Sequence, residues 1–255
     1  MATSSTDLPV QYFLGRDGAR LAYREVGKGR PVVLIHGYFS TATVNWVKYG
    51  HAAQLVARGF RVIMPDLRSH GDSAKLHEAV AYPKDVLTDD GLALVATLGL
   101  TDYDLCGYSL GGRTVLRMLL RGAAPRKAVV AGMGLDGMLD TGGRGEFFRR
   151  VLSNPGAFKS GSLEWMSEAF LKTVGGDPLA LLHILDTSVD TPRDDLAAVK
   201  VPVLTLSGVD DHDNGSAEEL AQALPDGRYG QLPGNHMSAV TKPELGAAIA
   251  DFLSS

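Results

Sequence analysis

Three residue types used together in nucleophilic catalysis, a serine, an aspartate and a histidine, occur in that order along this chain, each just past an apolar run. The serine is Ser109, in Gly107-Tyr108-Ser109-Leu110-Gly111. The run Tyr103 to Cys106 before it reads as a buried strand, and Val115, Leu116, Met118, Leu119 and Leu120 after it read as the apolar side of a helix. A strand that turns sharply into a helix at Gly-x-Ser-x-Gly puts its serine in a strained backbone conformation. Glycines flank it because side chains there would collide with neighbouring strand and helix. The hydroxyl is left exposed at the edge of a sheet, beside the N–H groups that open the helix. Such a serine is a weak nucleophile at its own pKa and needs a base.

The base that fits is His236, in Leu232-Pro233-Gly234-Asn235-His236-Met237, between the strand-like run Arg228 to Leu232 and a final helix over Pro243 to Leu253. A histidine base needs an acid to fix its tautomer and stabilise its imidazolium. Carboxylates stand at Asp210 and Asp211, directly after the strand-like run Val203 to Leu206 and the turn Ser207-Gly208. Neighbouring side chains diverge, so these two cannot both face the histidine. Asp213 and Asp136 are weaker candidates. The chemistry that such a set performs is attack by a serine hydroxyl on a carbonyl.

Residues of these types must be held by a framework, and the chain supplies one. Gln11 to Leu14 and Arg20 to Val26, around Gly15-Arg16-Asp17-Gly18, predict an antiparallel hairpin. Pro31 to Ile35 and Phe60 to Met64 are continuous apolar β-branched runs of the kind buried on both faces of a sheet. With Tyr103–Cys106, Ala128 to Ala131, Val203–Leu206 and Arg228–Leu232 they make eight strands, alternating with helices over His51 to Arg58, Asp85 to Leu98 and the stretch after Ser109. That alternation predicts an α/β protein with a mainly parallel, twisted sheet covered on both faces. Ligands bind such sheets outside the carboxyl ends of the strands, where the candidate residues fall. The interval 135–199 breaks the pattern: it holds helix-like pieces at Gly145 to Leu152, Ser162 to Val174 and Pro178 to Leu185, and no convincing strand. It reads as a helical cap, or lid, inserted in a core formed by 1–134 and 200–255.

Composition bounds the alternatives. The 255 residues carry a net charge of −4, with 45% hydrophobic and 21% charged residues, which gives no electrostatic footprint for nucleic acid or an anionic membrane. Met1 to Asp7 has neither the basic nor the apolar region of a secretory signal, and no apolar stretch reaches bilayer length. The one cysteine, Cys106, agrees with a reducing compartment. A soluble cytoplasmic protein is expected. No cluster has metal-ligand spacing, so neither a metal nor a cofactor is expected. Nothing in the sequence specifies oligomeric state.

These motifs together resemble the serine hydrolases of the α/β-hydrolase superfamily, from about residue 20 to the C-terminus. The resemblance is carried by His36-Gly37 after the third strand, Asp66-Leu67-Arg68-Ser69-His70-Gly71-Asp72-Ser73 after the fourth, the Ser109 turn, a Gly-x-x-Asp ending at Asp211, and His236. It implies an eight-stranded, mainly parallel sheet with a helical cap, Asp211 as the acid, and the backbone N–H groups of Tyr38 and Leu110 as an oxyanion hole. His36 is then structural, and Asp66, Arg68 and Gly71 fix a turn. His51, His70, His77 and His183 read as surface or packing residues, and His212 as a neighbour of the acid.

Two glycine-rich stretches compete with this reading. Gly107 to Thr114 is one residue from a phosphate-binding loop, but Arg113 stands where that loop requires lysine. Gly132-Met133-Gly134-Leu135-Asp136-Gly137 spells Gly-x-Gly-x-x-Gly after a strand, yet lacks an acidic residue some 20 positions on. The reading is an esterase that hydrolyses small or short-acyl esters through an acyl-enzyme. Serine at the turn separates the chain from haloalkane dehalogenases and epoxide hydrolases, which carry aspartate there. Lactonase, thioesterase, carbon–carbon bond hydrolase and perhydrolase chemistry stay open, as does a receptor that keeps the pocket without turnover. Phe147, Phe148, Phe158, Trp165, Phe170 and Leu171 in the cap, and Met133, Met138 and Met166, could line an apolar pocket or serve packing alone.

Overall fold

The computed structural model describes residues 8–255; the polar start read over Met1 to Asp7 lies outside them. In chain order the elements are β1 (Gln11–Leu14), β2 (Arg20–Gly27), β3 (Arg30–Ile35), α1 (His51–Ala57), β4 (Phe60–Pro65), α2 (Val86–Thr97), β5 (Asp104–Tyr108), α3 (Leu110–Leu120) and β6 (Ala128–Ala131). Then come α4 (Leu135–Leu139), α5 (Gly142–Ser153), α6 (Leu163–Thr173), α7 (Pro178–Asp186), β7 (Val203–Gly208), α8 (Ala217–Ala223), β8 (Gly227–Leu232), α9 (His236–Ala239) and α10 (Pro243–Ser254). The eight strands form one sheet in the order β1-β2-β4-β3-β5-β6-β7-β8. β1 and β2 pair antiparallel, as do β2 and β4; every other pairing is parallel.

The continuous apolar runs are explained by burial on both faces. Val33, Ile35, Ile63, Leu105 and Val130 point to one side, where Leu94 of α2, Leu116 and Met118 of α3 and Leu220 of α8 cover them. Their neighbours Val32, Leu34, Val62, Met64, Cys106 and Val129 point to the other side, under Leu55 of α1 and Leu245 and Ile249 of α10. This is the period-two alternation of a pleated strand, with an apolar residue required at every position.

The strand order also fixes where a site can form. From β3 the chain goes to β4 on one side and returns to β5 on the other, so connections leave β3 and β5 in opposite directions. A crevice opens outside the carboxyl ends of two such strands. The segment His36-Gly37-Tyr38 follows β3 and Ser109 follows β5, and the two strands are in register with Ile35 opposite Gly107.

Between β6 and β7 the chain makes four α-helices and a 3-10 turn over Arg193–Ala198, with no strand. Its helices share a small apolar core of their own, Val151, Leu152, Leu171 and Leu181, which Phe39 from the loop after β3 joins. Leu171, Phe147 and Phe170 are therefore packing residues, whereas Trp165 and Met166 are exposed. Among the described residues no helix is long and apolar enough to cross a membrane.

Candidate active site

Ser109 is the single residue between β5 and α3, with φ 55° and ψ −116°. A positive φ is uncommon outside glycine and costs conformational energy, which the surrounding structure must supply. The neighbouring glycines show how tightly the turn is wound. A Cβ on Gly107 would lie 2.1 Å from the Gly111 carbonyl oxygen, and one on Gly111 would lie 2.1 Å from that of Ile35. The Ser109 N–H donates to the Ala131 carbonyl at 2.7 Å, which ties the turn to β6.

His236 begins the one-turn helix α9. Asn235 before it caps that helix, accepting from the Met237 and Ser238 N–H groups, while Ser238 Oγ accepts from the Asn235 N–H. This holds the imidazole over the turn: Ser109 Oγ and His236 Nε2 are 3.0 Å apart. On its other side His236 Nδ1 is 3.0 Å from Asp211 Oδ2. The network assigns Nδ1–H as donor to the carboxylate, leaving Nε2 to accept from the serine hydroxyl. Both partners are enclosed, with the His236 side chain 8% and the Asp211 side chain 4% exposed. Burial alone would raise the Asp211 pKa, but the hydrogen bond and charge of His236 outweigh it and hold the carboxyl below its usual range.

Of the four candidate aspartates, Asp211 is the one hydrogen-bonded to His236. Its N–H donates to the Gly208 carbonyl at 3.0 Å, a turn that aims its side chain inward while Asp210 is exposed. Asp211 Oδ1 accepts from the Asp213 N–H at 3.1 Å, and the Asp213 carboxylate pairs with Arg144. Asp136 is exposed on α4. Ligand atoms of Asp211, Asp213 and His236 lie within 4.8 Å of one another. Each already has a protein partner, so an ion there would have to break the His236–Asp211 or Asp213–Arg144 pair.

Tyr108, unremarked in the sequence, anchors the histidine. Its hydroxyl donates to the His236 carbonyl at 2.6 Å, and its ring lies 5.5 Å from the imidazole, centroid to centroid. Gly132, at φ 62°, makes room for it: a Cβ there would approach the Tyr108 ring to 2.9 Å. Nothing in the motif separates such a tyrosine from an ordinary core residue.

The loop after β3 lies against the Ser109 turn, since a Cβ on Gly37 would sit 3.3 Å from Ser109 Cβ. Gly37 N–H donates to Asn45 Oδ1 at 3.1 Å. No hydrogen bond among the described residues uses the backbone N–H of Tyr38 or Leu110, and both residues border the same cleft as Ser109. Buried His36 joins this loop to the one after β4: its Nδ1 meets the Gly37 carbonyl at 2.8 Å, and its Nε2 accepts from the Leu67 N–H at 3.0 Å. Asp66 accepts from the Ala42 and Asp72 N–H groups at 2.8 and 3.1 Å, crowding Gly71 so closely that a Cβ would lie 2.3 Å from its carboxyl. Burial pushes the Cys106 thiol up, away from any nucleophilic form.

The cleft has a volume of about 50 Å³. Met133, Phe148 and Ile184 give it apolar walls, and Arg113, Arg144 and Asn214 polar ones. Met138 is fully buried elsewhere. The helices of 135–199 bear on the cleft directly: Tyr38 Oη donates to the Leu181 carbonyl at 2.7 Å, and its ring meets Phe148 at 4.9 Å.

An eight-stranded sheet of this order, with a strained serine between its central strand and the next helix, defines an α/β hydrolase. The chain belongs to the alpha/beta hydrolase family, whose model matches residues 32–249. Over nearly its whole length it is similar to a non-heme haloperoxidase of Rhodococcus erythropolis, 28% identical, with 96% of this chain and 100% of that protein covered. Among solved structures it resembles an esterase from Thermogutta terrifontis, with a TM-score of 0.77, 24% identity, and 96% and 98% of the two chains covered. It also resembles the enol-lactonase of Burkholderia xenovorans LB400, with a TM-score of 0.76, 22% identity, and 96% and 100% covered. At these identities the structural likeness is one of fold.

Proposed function

We propose that this hydrolase works by acyl transfer from Ser109 to water, with small or short-acyl carboxylic esters as its substrate class. The observation that carries the reading is the continuous relay Ser109 Oγ–His236 Nε2 and His236 Nδ1–Asp211 Oδ2, each step 3.0 Å. In the first half-reaction His236 takes the Ser109 proton as Oγ bonds to the carbonyl carbon. The oxyanion is held by the N–H groups of Tyr38 and Leu110. His236 then gives its proton to the departing alcohol, leaving Ser109 acylated. Water, deprotonated by His236, attacks the acyl carbon, and Ser109 leaves with the proton. The interval 135–199 acts as a cap that walls the acyl site through Phe148 and Ile184.

A second reading shares the acyl-enzyme. If hydrogen peroxide replaces water as the attacking group, the product is a peracid, which oxidises halide. The full-length relative named as a haloperoxidase favours testing this. Ser109 replaces the nucleophilic aspartate that epoxide opening on this fold would need.

The test is covalent labelling by a fluorophosphonate together with steady-state hydrolysis of 4-nitrophenyl acetate. Both are expected in the parent protein, and both should be abolished in Ser109→Ala. Full turnover without Ser109 would sink the mechanism; ligand binding without labelling or turnover would make the protein a receptor. Adding peroxide and bromide to the acylated enzyme separates peracid formation from simple hydrolysis.

A further inference from the structure

The cleft beside Ser109 contains a positive charge to which the acyl-transfer scheme gives no task. Arg113 stands one turn into α3, its N–H bonded to the Ser109 carbonyl at 3.0 Å. Its side chain borders the same cleft as Ser109. Its guanidinium donates one hydrogen bond, from an Nη to the Gly137 carbonyl at 2.7 Å. Its Nε is buried with no partner.

Other enclosed arginines of this protein are neutralised. Arg68 is held between Asp17 and Asp90, and Arg117, one turn further along α3, by Asp85. In the cleft itself Arg144 pairs with Asp213. Arg113 has no carboxylate in contact among the described residues. Asp190 attracts it from a distance, but that carboxylate accepts from Thr141 N and Oγ1 at 2.9 and 2.8 Å. Burial lowers the Arg113 pKa to about 10 against the pull of Asp190, so the group keeps its charge at neutral pH. A guanidinium with unspent donors at the wall of a partly apolar cleft is costly unless an anion meets it. With Arg144 already paired, the one free positive charge of the cleft among the described residues balances a single carboxylate, whereas a phosphate dianion would stay half-neutralised.

We propose that Arg113 is the carboxylate-recognition residue of this cleft, so that the preferred substrates are esters carrying a free carboxylate a few bonds from the scissile carbonyl. The inference rests on the serine-hydrolase reading for its chemistry, but its binding component can be measured without turnover. The scissile ester approaches Ser109 while the distal carboxylate accepts from Arg113, which fixes the length of substrate that spans the two.

Two matched esters test this: mono-4-nitrophenyl adipate, which carries the carboxylate, and 4-nitrophenyl hexanoate, which lacks it. The parent enzyme should favour the adipate ester in kcat/KM by at least about tenfold, the scale of a charge-assisted hydrogen bond. Arg113→Gln should lower that ratio by tenfold or more, mainly through KM for the adipate ester, and Arg113→Lys should restore part of it. A variant that merely perturbs the fold changes both substrates together and leaves the ratio unchanged, which would overturn the proposal. If neither ester turns over and Ser109 resists the fluorophosphonate, the hydrolase reading falls, and calorimetry decides on Arg113. In Ser109→Ala, adipate should then bind at least tenfold more tightly than in Ser109→Ala/Arg113→Gln. Equal or absent binding would overturn the assignment.

Discussion

Replacing Asp211 with asparagine changes little in shape, and the structure says which way the new amide must face. Asp211 uses two oxygens for two purposes: Oδ1 accepts from the Asp213 N–H at 3.1 Å, and Oδ2 accepts from His236 Nδ1 at 3.0 Å. Asparagine has one acceptor and one donor end. The Asp213 N–H claims the carbonyl end, because the opposite orientation would set NH₂ against N–H. The amide NH₂ then faces His236 Nδ1, which must become an acceptor. The imidazole proton moves to Nε2, the atom that has to accept from Ser109. The variant therefore has a base in the wrong tautomer as well as an imidazolium without its counter-charge.

The expected loss in kcat/KM is on the order of 10⁴-fold, the scale found when the same substitution is made in the Ser-His-Asp set of a serine protease. That corresponds to roughly 5.5 kcal/mol of transition-state stabilisation. The assay is steady-state hydrolysis of 4-nitrophenyl acetate, with the melting temperature checking that the fold survives. Asp210→Asn, on an exposed side chain, should stay within a few-fold of the parent. Retention of more than about a tenth of the activity in Asp211→Asn would refute the tautomer argument. A larger loss in Asp210→Asn would move the acid to that position.

Two further outcomes concern stability. Gly111→Ala places a methyl 2.1 Å from the Ile35 carbonyl oxygen and should cost more than about 3 kcal/mol in urea unfolding, whereas Gly143→Ala, in the open first turn of α5, should be neutral or stabilise by up to about 1 kcal/mol. Equal effects at the two glycines would contradict the described packing. His70 is buried 5.1 Å from His36, and burial, together with the His36 charge, lowers its pKa to about 3. An unfolded histidine takes up its proton near pH 6.5, so between those values the unfolded chain binds more protons and stability falls as pH drops. One such group contributes roughly 2.5 kcal/mol of loss between pH 7 and 4.5. His70→Asn should therefore lose less stability than the parent over that interval; an identical loss in both proteins would show that His70 does not resist protonation.

The partly buried β1 and β2 were legible through the turn Gly15-Arg16-Asp17-Gly18 between them, and the central strands β3 to β7 because burial on both faces favours unbroken apolar runs, a requirement visible without knowing the neighbours. Their ends were less so: β5 runs Asp104–Tyr108 rather than Tyr103 to Cys106, since pairing of Gly107 with Ile35 and Val130 extends it up to the serine. The helix over 217–223 went unread although Ser216 and Glu219 signal its start, and the short helices α4 and α9 have too few residues to show a period. In 135–199 the helices begin or end within three residues of their predicted bounds, but which of their aromatics face the cleft was not legible. Phe148 does, because the loop holding Tyr38 and Phe39 meets α5 at that residue.

The amino-acid sequence determined what local sterics and chain order can determine. Gly107 and Gly111 mark a turn too tight for side chains, Ser109 is the residue in it, and an aspartate and a histidine follow at the ends of later strands. Between Asp210 and Asp211 only the family resemblance chose, in favour of Asp211, and nothing local showed that Tyr108 anchors His236 or that Arg113 lacks a counter-charge. Those depend on partners up to 128 residues away, brought together by the register of β5, β6, β7 and β8. A backbone clash is settled by a few neighbouring residues; the partner of a charge or a hydrogen bond is settled only when the sheet has assembled.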